Sequence, residues 1–229
     1  KEELASTSLA GHICVVFDVL FATTTIITAL AHGAREVWPA LHQDEAIALA
    51  KRLPSPWRLA GEYNGALIEG FDSPLPIALS QHLRPDESLI YATTNGTLAL
   101  RWAQEADAVY AAAILNIEAT ANYIRQHHAN DDLILVCAGS MDRFNLEDFR
   151  GVAELIHALG PHHYHLSDSA MAALALREAM PIDTALHQGS VGRLMAAHQA
   201  QNETTYATQL NHVNVVAKLD SDAAVRKIL

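Results

Sequence analysis

The sequence predicts an α/β fold, in which a mostly parallel sheet of about six strands lies between two layers of helices and is followed by a helical C-terminal part. Short apolar runs rich in β-branched residues alternate along the chain with stretches of helical length, as in parallel βαβ units. The chain has 229 residues, 50% of them hydrophobic, which is enough to bury the core of one large domain. We therefore expect residues 1–229 to form a single α/β domain.

The first strand and helix set the pattern for the rest of the chain. Residues 13–17 form a continuous apolar run typical of a strand buried on both faces, and residues 25–32 suit a helix that Gly33 can end. Residues 1–11 look like a lead-in. The same criteria predict strands at residues 36–39, 57–60, 88–92, 108–111 and 133–137, and helices at residues 44–53, 77–83, 98–104, 117–127, 146–159, 168–179 and 191–199. The last apolar run, residues 213–217, suits either a strand or the start of a helix.

Charge and composition argue against several classes of partner. The formal net charge is −11, from 26 acidic residues against 15 Lys and Arg, whereas nonspecific binding of nucleic acid or anionic membranes needs basic patches. Nothing resembles a signal peptide, and the apolar runs are too short to span a bilayer. Cys14 and Cys137 lie in predicted buried strands, which suits small core residues. We expect a cytoplasmic protein that binds neither nucleic acid nor membrane.

Polar clusters follow several of the predicted strands. Parallel strands place their carboxyl ends on one edge of a sheet, where open α/β sheets bind ligands, so these clusters can converge. Each cluster taken alone also suits helix capping or a turn. The clusters are Asp18 with Thr23, Thr24 and Thr25; Glu62; Asp72 with Ser73; the run Thr93-Thr94-Asn95-Gly96-Thr97; and Glu147 with Asp148.

The run from Thr93 to Thr97 is the best candidate for binding an anion. Gly96 allows close approach of the backbone, and successive N–H groups at the start of a helix form a cradle. Carboxylates from Asp18, Glu62 and Asp72 suit Mg²⁺, which prefers oxygen ligands. The chain has no GxGxxG or P-loop motif. A zinc site at the histidines near residues 162–165 lacks the usual accompanying ligands.

Taken in order, the motifs resemble those of the Mg²⁺-dependent 2-phosphosulfolactate phosphatases of coenzyme M biosynthesis and their bacterial relatives. The resemblance runs from about residue 12 to about residue 178. The matching residues are Asp18-Val19-Leu20, Ala22-Thr23-Thr24-Thr25, Gly61-Glu62, Gly70-Phe71-Asp72-Ser73-Pro74, Thr93-Thr94-Asn95-Gly96-Thr97, Asn116, Cys137-Ala138-Gly139, Arg143-Phe144, Leu146-Glu147-Asp148 and Leu166-Ser167-Asp168.

The resemblance implies hydrolysis of a small anionic phosphoester, which yields sulfolactate and phosphate and requires Mg²⁺. Asp18 and Glu62 are then metal ligands, with Asp72 as a weaker third; Asp18 also suits a nucleophile or a base, and these roles stay open. Asp18 and Arg143 are the candidate catalytic residues, with Arg143 expected to hold a second anionic group, and Glu147 and Asp148 also suit helix caps. The expected substrate contacts are Thr23, Thr24, Ser73, Thr94, Asn95, Gly96 and Thr97. A homo-oligomer is compatible with the resemblance.

Two departures from the family pattern define an alternative function. The family usually has Asp-Val-Leu-Arg-Ala-Thr, and Phe21 stands here where that Arg belongs. An Arg offers a bidentate fork to a phosphate or sulfonate, and a Phe offers no charge. The family loop Gly-Phe-Asp-x-Gly-Asn-Ser-Pro is also shorter here, because Asp72 is followed directly by Ser73. The alternative is a catalytically weak or inactive homologue that binds a small anion.

Overall fold

The computed structural model describes residues 1–141 and 143–229. Its strands are β1 (His12–Phe17), β2 (Glu36–Ala40), β3 (Trp57–Tyr63), β4 (Ala66–Leu67), β5 (Ser88–Ala92), β6 (Ala108–Ala112), β7 (Asp132–Cys137), β8 (Ala217–Leu219) and β9 (Val225–Lys227). Its α-helices are α1 (Ala22–Ala31), α2 (Gln43–Arg52), α3 (Pro76–Ser80), α4 (Gly96–Trp102), α5 (Ile117–His127), α6 (Leu146–Leu159), α7 (Asp168–Ala179), α8 (Ile182–Gln188), α9 (Ser190–Ala197) and α10 (Gln201–Ala207).

The α/β class is confirmed, but the sheet is larger and more mixed than the sequence predicts. In the described chain it has nine strands, in the order β4-β3-β5-β2-β9-β8-β6-β1-β7. The triplets β3-β5-β2 and β6-β1-β7 are each parallel. The hairpin β8–β9 lies between them and pairs antiparallel with β2 and with β6. These three antiparallel pairings make the two triplets run in opposite directions.

Because the two triplets run in opposite directions, the carboxyl ends of the strands do not all lie on one edge of the sheet, contrary to the prediction from the sequence. Helix α1 crosses the middle of the sheet and contacts β6, β8, β9 and β2, so it carries the chain from one triplet to the other. Helix α4, which follows β5, contacts α1, β1 and β2. The segments after β1 and β5 therefore meet through the packing of α1 and α4, although β1 and β5 belong to different triplets.

Helices cover both faces of the sheet, as a three-layer arrangement requires. The residues of β1 alternate between two cores: Cys14 and Val16 face one, and Val15 and Phe17 face the other. The first core includes apolar residues of α1 and α4, and the second includes those of α5 and α6. The predicted burial of β1 on both faces is confirmed, since residues 13–17 are at most 3% exposed.

Most predicted elements are present, and the differences have simple causes. Strand β5 and helices α5, α6 and α7 have the predicted bounds. Helix α1 begins at Ala22, earlier than predicted, because Thr23 bonds back to the preceding turn. Residues 213–216 are irregular and only residue 217 begins β8. The strands β4, β8 and β9, of two or three residues each, and the helices α8 and α10 were not predicted. No helix in the described part of the chain is long and apolar enough to cross a membrane.

Candidate active site

Asp18 lies at the end of β1 and is almost fully buried, with 7% of its surface exposed. Its Oδ1 accepts from the Ala22 N–H at 3.2 Å, and the Gly96 N–H also bonds to the carboxylate. A Cβ placed on Gly96 would lie 2.5 Å from Asp18 Oδ2, so only a glycine fits beside this side chain. The glycine of the predicted anion cradle therefore packs directly against the predicted catalytic acid.

Thr23 and Thr24 position the turn that carries Asp18. The Thr23 hydroxyl donates to the Asp18 carbonyl at 2.9 Å and accepts from the Asp18 N–H at 3.0 Å. The Thr24 hydroxyl donates to the Val19 carbonyl at 2.7 Å, and both threonines are fully buried. The expectation that these hydroxyls face the substrate does not match this geometry. They hold the backbone on either side of the acid.

Glu62, near the end of β3, is held by donors on both carboxylate oxygens. Oε1 accepts from the Thr94 N–H at 2.7 Å. Oε2 accepts from the Thr94 hydroxyl at 2.9 Å and from the Gly65 N–H at 2.6 Å. The negative charge of Glu62 acts on Asp18. The structure thus brings together two of the three predicted metal ligands, and Thr94 orients one of them.

The remaining residues of the predicted cradle divide into two roles. Thr97 is fully buried, and its hydroxyl and N–H exchange hydrogen bonds with Thr93, so it closes the turn before α4 instead of facing a ligand. Asn95 is only partly buried, and its Oδ1 accepts from Lys1 Nζ at 3.1 Å. Of the predicted anion contacts in this run, Asn95 is the one that is engaged neither by Asp18 or Glu62 nor through its side chain by another residue of the run.

Asp148, which the sequence suggests only as a helix cap, is a buried member of the site. Its Oδ1 accepts from the Val19 N–H at 2.9 Å, and its Oδ2 accepts from the Gly139 N–H at 3.0 Å. It therefore ties the residue after Asp18 to the loop that follows β7. The cap belongs instead to Asn145, whose Oδ1 accepts from the Asp148 N–H. Its bond to Val19, 129 residues away, is not evident from the local sequence, and the signals that point to Asp148 are its place in a polar cluster and the order of the motifs.

Burial, together with the charge of a neighbouring acid, raises the pKa of both Asp18 and Asp148. Burial raises the pKa of Asp18 to about 7; the N–H of Ala22 opposes this rise and the charge of Glu62 adds to it. Burial also raises the pKa of Asp148 well above its ordinary value, and the charge of Asp18 contributes. We call Asp18, Glu62 and Asp148 the acidic cluster. Carboxylates that are held close together and away from water bind a proton or a cation favourably, because either one reduces their repulsion.

Asp72 and Ser73 do not join the acidic cluster. Asp72 Oδ2 pairs with Arg58 Nη1 at 2.6 Å, and Arg58 also pairs with Glu87. The Ser73 hydroxyl accepts from the Leu75 N–H at 3.2 Å and so stabilises a turn. The carbonyl of Pro74 accepts from the hydroxyls of Thr25 and Tyr91, which fixes the shortened loop to α1 and β5. The predicted role of Asp72 as a third metal ligand does not match this arrangement.

The two positions expected to carry positive charge differ in their surroundings. Phe21 is 8% exposed and belongs to an apolar cluster, so it brings no polar group to the site. Arg143 is exposed, and its backbone pairs with Ser140 in the loop that Asp148 anchors. Arg143 is therefore placed on a loop beside the end of β1.

The acidic cluster fits Mg²⁺ better as a two-carboxylate site than as the predicted three-carboxylate site. No group of three or more His, Cys, Asp or Glu side chains within residues 1–141 and 143–229 is arranged to hold a metal. Mg²⁺ in phosphoryl-transfer enzymes is commonly held by one or two carboxylates, with waters and phosphate oxygens completing its shell. Asp18 and Glu62 provide such a pair, and their mutual repulsion is relieved by a cation. The fold and this cluster define an α/β protein with a buried carboxylate site suited to a cation.

Comparison with known proteins identifies the family. The profile of the 2-phosphosulpholactate phosphatases matches residues 1–222. A probable 2-phosphosulfolactate phosphatase of Carboxydothermus hydrogenoformans is 35% identical over 206 residues, covering 88% of this chain and 84% of that protein. The corresponding protein of Symbiobacterium thermophilum is 34% identical and covers 91% of both chains, and that of Clostridium beijerinckii is 30% identical over 94% and 92%. The chain belongs to the 2-phosphosulpholactate phosphatase family. The resemblance drawn from the motifs is confirmed, and with it the assignment to the phosphatases.

Proposed function

We propose that the protein hydrolyses a small anionic phosphate ester in the presence of Mg²⁺, with 2-phosphosulfolactate as the first candidate substrate. The observation that carries the proposal is the burial of Asp18 beside Glu62, at the point where the segments after β1 and β5 meet. Family membership supports the same reaction, since the relatives bear the name of this phosphatase.

The residues of the site have two roles in this proposal: two carboxylates bind the metal, and the neighbouring donors orient these carboxylates. Asp18 and Glu62 would hold the Mg²⁺, which when bound neutralises phosphate charge and stabilises the charge that develops during phosphoryl transfer. The N–H groups of Ala22 and Gly96 fix the Asp18 carboxylate, and Thr94 fixes Glu62. Such preorganised donors orient the reacting groups before the substrate arrives.

A phosphate-release assay tests the proposal directly. Purified protein is given 2-phosphosulfolactate or phospholactate, with Mg²⁺ or with EDTA, and Asp18→Asn is compared with Asp44→Asn, whose site is an exposed helical turn. We expect turnover only with Mg²⁺, and a loss of about 100-fold or more in Asp18→Asn, since one preorganised group commonly contributes that much. Folded protein that releases no phosphate from any small phosphoester would refute the proposal.

A second candidate, a weak or inactive homologue that binds a small anion, is favoured by Phe21. The position of the family Arg is occupied here by a buried apolar side chain, so the charge it would bring is absent. Phe21→Arg tests this candidate: a large gain in phosphatase rate would show that the natural chain has lost activity. Titration calorimetry with phosphate and with sulfolactate shows whether anion binding survives in the natural chain.

Location and assembly form part of the proposal. We propose that the protein is cytoplasmic and, because its net charge is −11, that it binds neither nucleic acid nor anionic membranes. A homo-oligomer is tested by size-exclusion chromatography with light scattering.

A further inference from the structure

Lys1 belongs to the candidate active site, although the sequence alone predicts only a lead-in for residues 1–11. Its side chain is only 3% exposed, and its Nζ donates to Asn95 Oδ1 at 3.1 Å and pairs with Glu2 Oε1 at 2.5 Å. Its charge also acts on the buried carboxylate of Asp18. The Lys1 ammonium group thus contacts the residue just before α4 and is close enough to Asp18 for its charge to act there.

The N-terminal segment is packed so that it holds Lys1 in place. Leu4 and Leu9 are buried in the same core as α1 and α4. The main-chain nitrogen of Lys1 donates to the Cys137 carbonyl at the end of β7, at 2.9 Å, and the Lys1 carbonyl accepts from the Leu4 N–H at 3.0 Å. A lysine usually loses considerable side-chain entropy when it is fixed, and here that ordering is already present in the fold.

Lys1 supplies a positive charge near the acidic cluster, which Phe21 does not. Arg58 is engaged by Asp72 and Glu87 at the far side of β3, and Arg143 is exposed on its loop. Lys1 is held beside Asn95, whose side chain bonds neither to the acids nor to another residue of the Thr93–Thr97 run, whereas Thr94 bonds to Glu62, and Thr93 and Thr97 bond to each other. Glu2, one of the partners of Lys1, has a side chain that is 48% exposed, so water or a ligand anion can replace that contact.

We propose that Lys1, together with Asn95, binds the anionic group of the substrate that is not hydrolysed, and so makes the site selective for phosphate esters with a second negative group. The inference rests on the proposed function, because the reacting phosphate is assigned to Asp18 and Glu62. An ammonium group and an amide N–H suit a sulfonate or carboxylate oxygen. Lys1 is then a specificity-determining residue that contacts substrate and takes no part in bond breaking.

Steady-state kinetics of Lys1→Gln and Lys1→Arg test the proposal on three substrates. These are 2-phosphosulfolactate, phospholactate and p-nitrophenyl phosphate, which has no second anionic group. Loss of a hydrogen bond to a charged group predicts a rise in KM of about 10- to 100-fold for the first two substrates in Lys1→Gln, with kcat nearly unchanged. Lys1→Arg should restore most of the affinity. If the rise in KM of Lys1→Gln is larger for 2-phosphosulfolactate than for phospholactate, Lys1 binds the sulfonate. If the two rises are equal, Lys1 binds the carboxylate, which both substrates carry.

The control is Lys51→Gln, which removes an exposed lysine from the last turn of α2. It should leave all three KM values unchanged, and thermal melts should show that each variant is folded. Equal losses on all three substrates, or a fall in kcat with KM unchanged, would overturn the proposal.

Calorimetry with sulfolactate separates this inference from the proposed function. Sulfolactate has the second anionic group and no phosphate, so it needs no turnover to bind. Binding to the natural chain that is lost in Lys1→Gln supports the inference even if no phosphoester is hydrolysed. Equal binding to both proteins, or binding to neither, contradicts it.

Discussion

Gly96 shows at the scale of one residue how the fold limits what can stand beside Asp18. An added Cβ would lie 2.5 Å from Asp18 Oδ2 and 2.9 Å from Asp18 Cβ, and it would also meet the side chain of Ala22. Neither neighbour can retreat easily, because Asp18 is held by N–H groups and Ala22 is in the first turn of α1. The carboxylate is positioned by steric fit as much as by hydrogen bonds.

Gly96→Ala should therefore lose activity by displacing Asp18. We expect phosphate release to fall about 100-fold, and stability to fall by about 1–3 kcal/mol, as in other overpacked sites. Gly70→Ala is the control: its φ of 79° also makes an alanine strained, but its added Cβ meets nothing within 4 Å. Urea unfolding and the phosphatase assay are measured on both. Similar activity losses in the two variants would show that Asp18 placement is not what Gly96 controls.

The pKa of Asp18 predicts a pH dependence of stability. Because that pKa is about 7 in the folded chain against 3.8 for an ordinary Asp, the folded state binds the proton more tightly. Its contribution is fully present below about pH 4 and is lost as the pH rises to about 7, by at most about 4 kcal/mol. Asp148 contributes in the same direction.

Urea unfolding of the natural chain and Asp18→Asn, in EDTA at several pH values, isolates this effect. The difference between the two curves reports Asp18 together with its effect on Asp148, whose pKa the charge of Asp18 also raises. The natural chain should lose stability relative to Asp18→Asn between about pH 4 and pH 7. Parallel curves would show that Asp18 titrates normally.

At the scale of elements, Asp148 joins three pieces of the fold at the site. Asp148 lies in the first turn of α6, and its two carboxylate oxygens accept hydrogen bonds from the segment after β1 and from the loop after β7. That loop carries Arg143, so the placement of Arg143 relative to Asp18 depends on one buried carboxylate. Glu147 beside it acts similarly, since its Oε1 accepts from the N–H groups of Val191 and Gly192 at the start of α9.

Asp148→Asn should weaken this junction. An amide keeps one acceptor oxygen and turns an NH₂ group toward the other N–H, so one buried donor loses its partner, at a cost of about 1–3 kcal/mol. We expect lower stability together with a lower kcat. Asp168→Asn is the matched control, because Asp168 is exposed in the first turn of α7 and should change stability by at most about 1 kcal/mol. An Asp148→Asn variant as stable and active as this control would contradict the role.

At the scale of the whole molecule, the sequence predicts the parts of the fold better than their arrangement. Strand β1 and Asp18 could be found because a long apolar run ends in an acid. The direction of the two triplets could not, because it depends on β8 and β9, which have only three residues each and are too short to be predicted from their pattern. Val19, which bonds to Asp148, and Asn95, which bonds to Lys1, likewise lie far from these residues in the chain, so the local sequence does not show either contact.

The hairpin β8–β9 makes the two triplets one continuous sheet, which predicts that they unfold together. Val225 is fully buried and pairs with Val37 of β2 and Leu219 of β8. All tryptophans lie on the side of β2, β3 and α4, at Trp38, Trp57 and Trp102, so their fluorescence reports one triplet. Far-ultraviolet circular dichroism reports all the helices, including α5 and α6 on the other triplet.

If the expected single domain is correct, the fluorescence and dichroism transitions in urea should coincide. Val225→Ala should lower the free energy of unfolding by about 1–3 kcal/mol, because it removes buried apolar atoms at the strand that links the triplets. The midpoints of both transitions should therefore fall together. Ile228→Ala, at a position 39% exposed, should shift them much less. Transitions that separate, in the natural chain or in Val225→Ala alone, would mean that each triplet is stable without the other. The hairpin would then be a connection between two folding units, and the acidic cluster would lie between them.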